Sequence, residues 1–140
     1  MRKLIRNYWE NNGIFIASGL TTGVLVAALV KPGTLPVPGF HLSDKFLHLL
    51  AFAVLTIAWF FSYGNHKKTI NFFWISGLLL LYGIIIEILQ SVIHTGRTAD
   101  WKDVVADVAG IATGWIVFPP LVKYLYKQAL PENSQTRKRE

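Results

Sequence analysis

The sequence predicts an all-α membrane protein, a bundle of four transmembrane helices with both termini in the cytoplasm. Three observations predict it. Hydrophobic residues make up 52% of the 140 and charged residues only 16%, against about a quarter charged in a soluble domain, and mean hydropathy is +0.39. Four apolar runs, residues 13–30, 46–63, 70–93 and 104–126, are each long enough to cross a bilayer with their flanks. Basic residues divide ten against four between alternate loops and termini, with the majority beside both termini and the 64–69 turn. The side richer in Lys and Arg is the cytoplasmic one.

The first run, residues 13–30, carries no charge over 18 residues and measures about 27 Å as a helix. A cleavable leader is the rival reading, but the run exceeds the usual signal core of about 7–15 residues. Gly19 and Gly23 are spaced for close helix packing. Residues 31–43 hold three prolines and two glycines and form a loop. Ser43 is a good N-cap, with Asp44 in the first turn of the second span. Residues 64–69 make a short turn before the third span. Residues 94–101 lead to the fourth, with Asp100 as N-cap. Pro119 and Pro120 are expected to kink or end that last helix. Residues 1–130 then form a single transmembrane domain, and residues 131–140, polar and charged, form a disordered cytoplasmic tail. Tyr8, Trp9, Trp59, Tyr63, Phe72, Trp74, Tyr124 and Tyr126 fall on the cytoplasmic side as an aromatic belt.

Some function classes drop out. Without cysteine there is no disulfide, thiol nucleophile or Cys-ligated metal. The net charge of +6 and pI near 9.7 do not point to nucleic acid, because the basic residues sit beside the ends of apolar runs, where anionic lipid is the fitting partner.

The informative residues are polar ones inside apolar helices. Ser76, Gly83, Glu87, Gln90 and His94 recur at helical spacing on the third span and share one face within about 60°. Asp103, Asp107, Gly110 and Gly114 share a face of the fourth. A carboxylate at mid-membrane costs roughly 3 kcal/mol on insertion scales and usually marks a site or proton relay, so Glu87 and Asp107 call for partners. The topology gathers Asp44, Lys45 and His48 with Glu87, Gln90 and His94, and with Arg97, Asp100, Lys102, Asp103 and Asp107, at the outer end of the bundle. One outward-facing, half-buried polar pocket follows. Asp44 and His48, four apart, are placed for a carboxylate–imidazole contact. Arg97 or Lys45 is within reach of Glu87. Plainer roles stay open: Asp44 and Asp100 as caps, Lys45 and Lys102 as headgroup contacts, His48 as an interfacial residue, His94 in a solvated loop, and Gly110 and Gly114 as packing residues.

These residues carry a resemblance. Asp44-Lys45-x-x-His48, Glu87-x-x-Gln90 and Arg97-x-x-Asp100-x-x-Asp103, followed by Gly110-x-x-x-Gly114, resemble the signature of the VanZ-like family over residues 40–118. The resemblance implies a small polytopic protein of the bacterial cytoplasmic membrane, in a family whose namesake is associated with resistance to the glycopeptide teicoplanin. It names a family more firmly than a reaction. Where the family commonly has Asn four residues after the second aspartate, this chain has Asp107, a potential anion in place of a neutral donor–acceptor.

Two functions follow. One is a binding protein whose pocket (Asp44, Lys45, His48, Glu87, Gln90, Arg97, Asp100, Asp103, Asp107) takes the polar part of a lipid-linked cell-wall precursor or a lipoglycopeptide. The other is an intramembrane enzyme in which Glu87, with His48 or His94, performs acid–base chemistry on an envelope lipid. No cofactor is called for. A metal site of His48, Glu87, His94 and Asp103 is oxygen-rich and lacks recurrent ligand spacing, so no metal ligand is assigned.

Overall fold

A computed structural model of the chain describes residues 2–30, 43–64, 71–93 and 100–127. Every regular element among them is a helix: α1 (Arg2–Leu29), α2 (Asp44–Gly64), α3 (Phe72–Val92) and α4 (Trp101–Lys127). All four contain stretches long and apolar enough to cross a membrane: Asn12–Leu29, Asp44–Tyr63, Phe72–Val92 and Trp101–Leu125. Large side chains such as Phe15, Leu78, Ile88 and Ile116 stand exposed around the bundle, as a lipid-facing surface requires.

The ends follow local chemistry. At α2 the Ser43 carbonyl accepts from the N–H groups of Phe46 and Leu47 at 2.9 and 3.2 Å. Asn71 caps α3 through its side chain, which accepts from the Phe73 N–H at 3.0 Å. Asp100 caps α4, its carboxylate accepting from the Lys102 N–H at 3.0 Å. Pro119 and Pro120 do not end α4, which continues to Lys127. A proline's fixed φ suits a helix, and what is lost is the donor to the carbonyl four residues back. Both prolines are exposed, while Phe118 beside them is held against Phe60, Phe61 and Phe72.

Helix α2 is the centre of the bundle, touching the other three, and its most extensive interface is with α4. Glycine makes that interface close. A Cβ on Gly110 would collide with the Leu49 carbonyl and stand 2.9 Å from the Phe52 Cβ. One on Gly114 would lie 2.6 Å from Thr56. These glycines are packing positions. At Gly19 and Gly23, by contrast, an added Cβ would meet nothing within 4 Å among the described residues. α1 instead packs on α2 and α3 through buried Ala17 and through Gly13 against Ser62. Polar bonds add to it: Trp59 Nε1 donates to Thr21 Oγ1 at 3.1 Å, and the Tyr82 hydroxyl donates to the Thr21 carbonyl.

The two ends of the bundle differ in character. Where α2 ends and α3 begins, Phe60 stacks on Phe72 with centroids 4.3 Å apart and meets Trp115 and Phe118 edge-on, both at 5.3 Å. Phe72 of the expected aromatic belt is partly buried against the core, while Trp74 and Tyr124 are exposed. The polar residues lie at the opposite end, where α2 and α4 begin and α3 finishes.

Candidate functional site

Three helix termini converge on this site. α2 contributes Asp44, Lys45 and His48 from its first two turns, α4 contributes Asp103 and Asp107, and α3 contributes Glu87 near its end. Asp100 stands just ahead of α4. The side chains of His48, Glu87, Asp103 and Asp107 are buried, Asp107 completely.

His48 is the hub. Its Nδ1 is 2.9 Å from Asp107 Oδ1, and its Nε2 faces Glu87 Oε1 at 4.0 Å. An Nδ1–H donated to Asp107 leaves Nε2 with its lone pair toward Glu87. The other Glu87 oxygen accepts from the Asp100 backbone N–H at 3.2 Å, which fixes the carboxylate's rotation. Glu87 Oε1 and Asp107 Oδ2 are buried yet meet no hydrogen-bond donor among the described residues. Such oxygens are costly and rare enough in folded proteins to call for an explanation.

Asp107 Oδ2 lies against Gly83 of α3, where a Cβ would collide with it and would stand 3.1 Å from Phe52 Cζ. Gly83, which shares the polar stripe of α3, is therefore the space that admits the carboxylate. At the rim, Lys45 Nζ bridges Asp100 Oδ2 at 3.0 Å and Asp103 Oδ1 at 3.3 Å, tying the starts of α2 and α4. The Asp100 carboxyl lies outside the spans and is held below the ordinary carboxylate range, first by the Lys102 N–H and then by Lys45.

The structure sorts the residues singled out in the sequence. Asp44, Lys45, His48, Glu87, Asp100, Asp103 and Asp107 come together. Gln90 is buried, but its amide donates to the Ala28 carbonyl of α1 at 2.9 Å. Ser76, the other end of the stripe, accepts from Trp115 Nε1 at 2.8 Å. His94 and Arg97 lie outside the described residues. Of the two partners in reach of His48, the bond to Asp107, 59 positions away, was not legible from spacing. A further grouping was missed: one ligand atom each from Asp44, His48 and Asp103 lies within 4.8 Å of the others.

A model of the VanZ/LLP1 family matches residues 3–123. The chain belongs to the VanZ/LLP1 family. No curated protein and no solved structure matches it. The match reaches back through α1, beyond the 40–118 region in which the motifs lie. The chain is accordingly a VanZ-like multi-pass membrane protein, with its Asp44-Lys45-x-x-His48 run on α2 at the polar end of the bundle.

Proposed function

We propose that this VanZ-like protein acts in the bacterial cell envelope by holding the polar head of an amphiphile in the pocket formed by α2, α3 and α4. The ligand class is a lipid-linked cell-wall precursor or a lipoglycopeptide, the latter by resemblance to a family whose namesake is linked to teicoplanin resistance. One observation carries the reading: Glu87 and Asp107 are buried among apolar helices, each with an oxygen that no described donor satisfies. Oxygens in that state suit a ligand's hydroxyl, amide or ammonium groups better than they suit a purely structural ion network. Asp44, Lys45, Asp100, Asp103 and, by sequence, Arg97 surround them. The apolar sides of α3 and α4 beside the pocket fit an acyl chain. The excess of basic residues at the other end supports an orientation with both termini in the cytoplasm and the pocket facing outward.

A second reading, an intramembrane enzyme acting on an envelope lipid, is favoured by the Asp107–His48–Glu87 alignment. An imidazole oriented by one carboxylate, with its other nitrogen facing a second, is an arrangement suited to moving a proton. Incubating the purified protein with radiolabelled envelope lipid separates the two. Saturable retention of unchanged lipid supports binding. Conversion to a new species, abolished by Glu87→Gln, supports catalysis. Neither retention nor conversion would overturn both.

A further inference from the structure

We propose that the polar end of the bundle contains a divalent-cation site formed by Asp44, His48, Asp103 and Glu87. The first three each offer a ligand atom, and these atoms lie within 4.8 Å of one another. Glu87 is an independent pointer. It is 5% exposed, its Oε1 has no hydrogen-bond donor among the described residues, and that oxygen stands 4.0 Å from His48 Nε2. Two ligand atoms on one ion, each at about 2.0–2.2 Å, are at most about 4.4 Å apart. The His48–Glu87 pair already meets that bound, and the site requires Asp44 and Asp103, which lie within 4.8 Å of His48, to turn toward the same ion.

The surroundings match a metal site as well. His48 gives Nδ1 to Asp107 at 2.9 Å, the carboxylate–histidine contact that fixes a metal-binding imidazole with its other nitrogen outward. The Asp100 N–H holds Glu87 by its second oxygen. Lys45 is exposed and shared between Asp100 and Asp103, so an arriving cation leaves it on Asp100. One imidazole nitrogen with three carboxylates suits Zn2+ or Mn2+. No spacing rule reveals such a site, because its ligands come from three helices. An ion there would explain how an acid-rich pocket receives a phosphate-bearing head, by bridging to it. That last step rests on the envelope reading above, whereas the ion site does not.

The full chain, purified in detergent and stripped with chelator, is titrated with Mn2+ and with Zn2+ in the absence of lipid. The expected result is saturable binding of one ion per chain, a higher melting temperature, and nitrogen modulation from the His48 imidazole in the pulsed EPR of bound Mn2+. Asp107→Asn should weaken affinity about 10- to 100-fold, Glu87→Gln at least as much, and Lys123→Gln at the far end not at all. Absence of saturable binding to the folded wild-type chain overturns the site, as does undiminished binding by Glu87→Gln. If the variants fail to fold, the wild-type spectrum decides, and lack of nitrogen modulation overturns it. Lipid retention with no ion binding overturns the ion site alone. Ion binding without lipid retention upholds it and overturns the envelope reading.

Discussion

At Gly83 a single hydrogen atom decides how closely α3 approaches Asp107. Gly83→Ala puts a methyl group against Asp107 Oδ2 and Phe52, and overpacking of this kind costs about 1–3 kcal/mol. A lower melting temperature in detergent is expected, while an unchanged one contradicts the tight contact. Asp107→Asn is milder, because the Asn carbonyl can still accept from His48 Nδ1. Near-wild-type melting is expected for it, and a clear loss for Asp107→Leu, which leaves His48 without that partner. Asp100 gives a pH prediction. Its folded carboxyl is held low by the Lys102 N–H and Lys45, so its contribution is present above the unfolded value of about 4. It is lost as pH falls through the lower folded value. Thermal unfolding followed from pH 6 downward should show that acid loss in the wild type and a smaller one in Asp100→Asn. Identical profiles would remove the assigned role. Residues in the pocket were legible because charge inside an apolar run is conspicuous. Their pairings were not, since His48 had partners in reach both four residues away and 59 away.

At the scale of the helix, four long apolar helices were legible because length and hydropathy govern membrane crossing. The prolines of α4 were less so, since the helix, held at Phe118 beside them, continues past Pro119 and Pro120 despite two missing donors. Replacing Pro120 by Ala restores one donor in a helix interior, where proline is about 3 kcal/mol worse than alanine. The expected outcome is a higher melting temperature, and a lower one would mean that the break is needed for packing. The Gln90 bond to α1 was not legible in the sequence. Its stripe points at the pocket, yet its amide crosses to Ala28 of α1. Facing the next helix and facing a ligand look alike in a periodic pattern. α1 packs on α2 and α3 without contributing an ionisable side chain from 13–30. Cysteines at positions 48 and 87 should therefore crosslink more readily than cysteines at 20 and 87, and the reverse order would contradict the arrangement.

For the whole molecule, four spans, both termini on one side and a polar pocket at the opposite end form one connected account. Reporter fusions after Gly39 and after Lys138 should report opposite faces of the membrane, the second cytoplasmic. The same face for both contradicts the topology. The account's central claim is that the buried carboxylates organise a site for the head of an envelope amphiphile. Retention of radiolabelled envelope lipid by the purified chain, compared between wild type and Glu87→Gln at matched helical content, tests it most directly. The account predicts saturable retention by the wild type and at least a tenfold loss in Glu87→Gln, or about 1.4 kcal/mol. Equal retention by the two proteins, or none by either, would contradict it.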